Sequence, residues 1–146
     1  ARMPVTTEGW NPPARGDSHC DCLVCGWKDP LSLGLVFHAE GDVVEARFRA
    51  NPGLQGYRGI MHGGVTSALL DAVMTQCLFH NGITALTADL SVRILRPKPC
   101  DSELLLSGRL VGTRPPLFVT SAELRLGDSL MASARARFLQ VPQDRF

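Results

Sequence analysis

The chain has 146 residues, enough for one well-filled core, whereas a split into two domains would leave each half marginal. Apolar residues make up 45% and charged residues 20%, which excludes intrinsic disorder, and a formal net charge of +1 argues against the dense basic footprint of a nucleic-acid-binding surface. No apolar run approaches the roughly 20 residues of a membrane span and no basic-then-apolar leader opens the chain, so the expected compartment is the cytoplasm, with no membrane partner.

Residues 1–30 carry Pro4, Gly9, Pro12, Pro13, Gly16 and Pro30 without a period of 2 or 3.6, and read as an irregular arm preceding a domain over 31–146. Five cysteines, three of them crowded at Cys20, Cys22 and Cys25, do not resemble a secreted disulfide framework. Reduced thiols fit, and so does zinc held by His19, Cys20, Cys22 and Cys25. A structural zinc site wants four ligands, normally from two separated pairs, and there is no second Cys pair. The reading preferred is therefore no metal, with a Cys-rich turn that packs the arm against the sheet, assisted by Trp10 and Trp27.

From Leu33 the pattern sharpens. Leu33, Leu35 and Phe37 alternate with Gly34, Val36 and His38, and after Gly41-Asp42 a second run places Val44, Ala46 and Phe48 on one face, which predicts a hairpin. Asn51-Pro52-Gly53 ends it, and a loop through Gly56 and Gly59 leads to His62. Residues 63–80 predict one long helix, stopped by Asn81-Gly82 and apolar around most of its circumference. The exception is a stripe of Gly64, Ser67, Asp71 and Thr75 at spacings of three and four, which shares one face. Beyond it everything predicts strand. Leu86, Ala88, Leu90, Val92 and Ile94 alternate with Thr87, Asp89, Ser91 and Arg93, and runs over 103–111, 117–126 and 130–141 follow. Two strands, one buried helix and four strands define an α+β domain, an antiparallel sheet curled around the helix.

The candidate chemistry sits where that helix begins. The first N–H groups of a helix lack partners and stand at the positive end of its dipole, and glycines at 63 and 64 let a carbonyl such as a thioester oxygen approach them. Asp71, a carboxylate in a nearly continuous apolar helix, costs desolvation energy unless it is paired or functional. It lies eight residues beyond Gly63, a little over two turns, so one helix does not bring both groups to one carbonyl. In a symmetric dimer with helices side by side, Asp71 of one subunit would face Gly63 of the other. The plain alternatives are turn chemistry for His-Gly-Gly and a structural aspartate. Arg93, Arg96 and Lys98, close to a strand end, suit the phosphates of a nucleotide, or form a solvated end. Cys77 and Cys100 have no nearby base in the sequence, so cysteine nucleophile chemistry is not expected.

The run Gln55-Gly56-Tyr57-Arg58-Gly59-Ile60-Met61-His62-Gly63-Gly64-Val65, followed by Leu69-Leu70-Asp71, resembles the signature of hotdog-fold thioesterases related to the phenylacetate-pathway enzymes. Thr87-Ala88-Asp89-Leu90-Ser91-Val92 through Arg96-Pro97 is similar to that family's strand after the helix, and Cys22-Leu23-Val24-Cys25-Gly26 with Pro30 and Leu33-Gly34-Leu35 to the opening of one branch. The resemblance implies a hotdog fold, an acyl-CoA substrate, hydrolysis without a cofactor, and a site shared between subunits of a homodimer, often paired into a homotetramer. By the same resemblance Gly63 supplies the N–H for the thioester oxygen and Asp71 is the nucleophile or the base that activates water. Thr87 positions that water, His62 orients the thioester, and Gly64 lines the substrate. The chain departs at Gly56, where the phenylacetate-type enzymes usually carry Asn, and at Leu54, where the related branch often has His; Gln55 is the residue placed to substitute. A non-catalytic acyl-CoA binder and a hotdog dehydratase-type enzyme are the alternatives.

Overall fold

The computed structural model describes residues 19–142; Trp10 and the proline-rich residues before position 19 lie outside them. Among the described residues are six strands, β1 (His38–Glu40), β2 (Val43–Arg49), β3 (Ala85–Ile94), β4 (Glu103–Arg114), β5 (Leu117–Leu126) and β6 (Ser129–Gln140), and one α-helix, α1 (Gly63–His80), with a short 3₁₀ turn at Pro52–Leu54. The strands make one antiparallel sheet in the order β1-β2-β4-β5-β6-β3. The helix touches every strand from β2 to β6.

The helix has the predicted bounds, and its ends are set by local chemistry. His62 caps the N-terminus and Asn81 the C-terminus, after which Gly82 turns away at φ 72°. Leu69, Leu70, Val73, Met74 and Leu78 are fully buried against Leu104, Leu106, Leu124 and Phe138 of the sheet. Each such aliphatic side chain contributes about 1.5–3 kcal/mol relative to an exposed one, so this face holds the helix in place. Of the stripe read from the sequence, Ser67, Asp71 and Thr75 are half-buried and Gly64 is exposed.

Two strands differ from expectation. The alternating run from Leu33 gives only three residues of ladder, because Gly34 adopts φ 63° and breaks the extended chain; Leu33 and Leu35 instead donate to the carbonyls of Leu23 and Val24. That pairing draws the described part of the arm inward, and Val24 and Cys25 enter the main core.

In β3 a bulge between Thr87 and Asp89 shifts the register against β6. The strict alternation of 86, 88, 90, 92 and 94 is lost there. Thr87 turns to the helix, as do Val92, which packs on the core, and Ile94, which lies against Gly63, whereas Leu86 is exposed. Arg137 of β6 pins Asp89 beside the bulge through Nε at 3.2 Å and Nη2 at 2.6 Å. This pair is exposed and contributes at most about 1 kcal/mol. Among the described residues no helix is long and apolar enough to cross a membrane.

Candidate active site

At the helix N-terminus the imidazole of His62 folds over its own backbone, and Nδ1 accepts the N–H of Gly64 at 2.8 Å. In neutral imidazole this places the proton on Nε2, an exposed donor. The cap decides which helix donor stays open. Gly64 N–H is given to His62, so a place for Gly64 in the substrate site would rest on its lack of a side chain; Gly63 N–H has no hydrogen-bond partner among the described residues. Beside it an open groove of about 290 Å³ is lined by Gly56, Tyr57, Ile60, Met61, His62 and Gly63. Tyr57 and Ile60 were not singled out in the sequence, because exposed apolar residues in a glycine-rich loop carry no periodic signal.

The loop that builds this groove is closed by its own side chains. Gln55 Oε1 accepts Gly59 N–H at 3.0 Å, and a backbone bridge joins Gln55 to Met61. The amide oxygen of Gln55 is therefore spent on the loop. Gly56 packs under His62, where a Cβ would lie 3.3 Å from the imidazole Cδ2, so the absence of a side chain there accommodates the capping ring.

Asp71 is half-buried, and Thr87 Oγ1 donates to its Oδ1 at 2.7 Å, sixteen residues apart in sequence. Desolvation raises the Asp71 pKa above the ordinary carboxylate range, opposed by the Thr87 hydrogen bond; the nearby Cys22 charge raises it further and His19 lowers it. Ser67 and Thr75 give their hydroxyls to the carbonyls of Gly63 and Asp71, so the stripe's other hydroxyls satisfy the helix itself.

Arg93 and Arg96 are exposed at the end of β3, but Lys98 is not: it is 1% accessible, and burial depresses its pKa. The basic cluster read from the sequence thus reduces to two arginines, because the chain between Pro97 and Pro99 turns inward as Lys98 accepts Met61 N–H on its carbonyl at 2.9 Å. Burial drives the Cys77 thiol up to about 12, which leaves it inert.

The Cys-rich turn packs on α1 at Gln76 and Phe79. His19, Cys22 and Cys25 gather their ligand atoms within 4.8 Å of one another, whereas Cys20 turns its sulfur to Asp21 Oδ2 at 3.4 Å and is not gathered with them. Hydrogen bonds from the Cys25 thiol and then from His19 lower the Cys22 pKa to about 3, against the desolvation that opposes it. Gln76, a buried amide in the apolar helix, meets this cluster and was missed in the sequence; a lone Gln among apolar helix positions was the available signal.

One helix laid across a six-stranded antiparallel sheet, with an open N–H at its start and a half-buried carboxylate two turns on, defines the hotdog class. Residues 58–135, more than half of the chain, match the Thioesterase superfamily, and the chain belongs to it. It is 26% identical over 134 residues to the bovine (Bos taurus) acyl-coenzyme A thioesterase THEM4, an alignment covering 88% of this chain and 54% of that protein, so the chain spans about half the length of this relative. A crystal structure of a thioesterase superfamily protein superposes with a TM-score of 0.74 at 29% identity, covering 78% of this chain and 60% of the other. A phenylacetic acid degradation-related protein from Ralstonia eutropha JMP134 gives a TM-score of 0.67 at 25% identity, with 73% and 85% covered.

Proposed function

We propose that the chain hydrolyses an acyl-CoA to the free acid and CoA thiol, in a site completed by a second copy of itself. The observation that carries this is the Thr87–Asp71 hydrogen bond, which holds a half-buried carboxylate at one end of β3 while Gly63 lies beside the Ile94 side chain at the other. β3 is an edge strand with Leu86, Leu90 and Ile94 exposed, an arrangement that invites pairing. Antiparallel pairing of two β3 edges about a two-fold axis near Leu90 and Ser91 sets Thr87 opposite the partner subunit's Ile94. Asp71 of one subunit then comes beside the partner subunit's Gly63, which a single helix keeps about 12 Å away. A homodimer is thus the minimal active unit, and a homotetramer of two such pairs is compatible with it.

In this site Gly63 N–H, at the positive end of α1, stabilises the oxyanion that forms as the thioester carbonyl is attacked. His62 Nε2–H is the donor that orients the thioester end. Thr87 occupies Asp71 Oδ1, which leaves Oδ2 either to attack the carbonyl carbon or to take a proton from an attacking water. In both routes the C–S bond breaks, CoA leaves as thiolate and is protonated, and one water is consumed. No cofactor is invoked. The kinship with an acyl-coenzyme A thioesterase supports the substrate class. The deciding experiment is turnover of a panel of CoA thioesters read by free-thiol release; a folded dimer that binds the panel without releasing thiol would reduce the chain to an acyl-CoA binder.

Two further outcomes follow from the geometry. Replacing Arg93 and Arg96 together by Ala should raise KM severalfold with kcat nearly unchanged, since contacts to a distant phosphate act before the chemical step; an unchanged KM would remove these arginines from the substrate site. Because Asp71 acts as carboxylate and its pKa is raised, kcat/KM should climb with pH through a value above the roughly 3.9 of a free Asp, and Thr87→Val, which removes the lowering hydrogen bond, should move that limb higher still. A limb that stays in place in the Val variant would exclude Asp71 as its origin.

A further inference from the structure

The turn at residues 19–28 takes no part in lining the groove, and although its Cys22 and His19 are near enough to act on the Asp71 carboxylate, the proposed hydrolysis assigns it no step. Its backbone is closed by four hydrogen bonds: Cys22 N–H to His19 O at 3.1 Å, Gly26 N–H to Cys22 O at 2.8 Å, and the N–H groups of Trp27 and Lys28 both to Cys20 O at 2.9 Å. Gly26 is required for so tight a closure, since a Cβ there would stand 2.5 Å from the backbone N and O of Cys22. The result is a preformed Cys-x-x-Cys-Gly turn with His19 folded back over it. Backbone N–H groups of Val24 and Cys25 hydrogen-bond the Cys22 sulfur and hold it in place over the turn.

We propose that His19, Cys22 and Cys25 form a binding site for one zinc-type divalent cation, clipping the turn to α1 beside Gln76 and Phe79. The geometry carries this. Tetrahedral coordination with Zn–S of about 2.3 Å and Zn–N of about 2.0–2.1 Å puts sulfur and nitrogen roughly 3.5 Å apart along an edge. Cys25 Sγ and His19 Nδ1 stand at 3.5 Å, and all three ligand atoms fall within 4.8 Å. Two thiolates and an imidazole suit zinc over the harder magnesium or calcium.

A second observation points the same way. Gln76 is 1% accessible, and its Nε2 donates to Cys25 Sγ at 3.6 Å while its Oε1 has no partner among the described residues. An amide donor buried against a cysteine sulfur supports a metal-bound thiolate, as outer hydrogen bonds do in metal sites. The His19 ring is held edge-on to Phe79 with centroids 4.8 Å apart, so the imidazole is oriented before any ion arrives. Gln76 and Phe79 both belong to α1, so the site ties the N-terminal turn to the helix that bears Asp71. The sequence-level set included Cys20 and required four protein ligands; the structure gathers three, and the fourth position belongs to a water or an exogenous ligand.

The test is cobalt substitution of the full chain, reduced and with its five thiols confirmed by titration. Apo protein titrated with Co²⁺ should take up one ion per chain, with the sulfur-to-cobalt charge-transfer band and intense visible absorption of tetrahedral coordination, and Zn²⁺ should bleach both. Cys22→Ser and Cys25→Ser should each abolish the spectrum while circular dichroism remains that of the folded protein. Gln76→Leu should weaken Zn²⁺ binding about 10–100-fold in chelator competition. Cys20→Ser and Cys77→Ser should leave stoichiometry and spectrum unchanged. No uptake by the fully reduced chain overturns the proposal, and so does uptake that survives loss of Cys22, or uptake that disappears with Cys20.

Discussion

Asp71→Asn should lower kcat by at least about a hundredfold while the protein melts no lower than the wild type at pH 7. The kinetic part follows from chemistry: an amide is neither nucleophile nor base, and loss of a general base alone typically costs 10²–10⁴-fold. The stability part follows from the direction of the pKa shift. The folded-state pKa of Asp71 is raised, chiefly by burial, so the folded state prefers the proton more than the unfolded chain does. Whatever stability the protonated form brings is complete below the unfolded pKa of about 3.9 and is lost as pH rises through the higher folded value. At pH 7 the carboxylate is thus a net cost, and Asn removes the charge while still accepting the Thr87 hydroxyl. Substrate binding should persist or tighten slightly. A folded variant retaining more than about a tenth of wild-type turnover would make Asp71 structural.

Gly63→Pro should lower kcat about 10²–10³-fold, the typical cost of deleting one oxyanion donor. Proline is the informative replacement because Gly63 is the first helical residue, where a missing N–H breaks no helix bond. The preceding residue is suited to it, since His62 already sits at φ −59°, ψ 135°. The added Cβ meets only the flexible end of Ile94, at 3.3 Å. The Pro and Asn variants together also test the shared site. If Asp71 and Gly63 meet across the dimer, subunit exchange between the two inactive proteins rebuilds one intact site in each heterodimer. Random exchange makes half the dimers mixed, each with one of two sites restored, so about one quarter of wild-type activity should return. A mixture that exchanges subunits, shown by mass-tagged chains, yet stays inactive would place both groups in one subunit's site.

The sequence by itself determined the helix, and did so to the residue. Its apolar surface extends nearly all round, His62 and Asn81-Gly82 punctuate its ends, and these are local signals that need no tertiary information. It also determined the order of six strands, since period-2 runs separated by Gly, Pro and Asp leave little freedom, and it isolated Asp71 as a carboxylate costly to bury. The tertiary structure decided the rest, because each remaining feature depends on groups far apart in the chain or on a single backbone irregularity. The bulge at Thr87 is invisible to an alternation count, yet it turns that hydroxyl onto Asp71. The inward turn at Lys98 is set by its backbone contact with Met61, so a basic triplet in sequence is a pair of arginines in space. The choice of Gly63 over Gly64 as the open donor depended on one imidazole rotamer. Which of four metal-capable residues converge depended on how a ten-residue turn closes around Gly26, and that closure is a matter of backbone hydrogen bonds, which residue types alone do not specify.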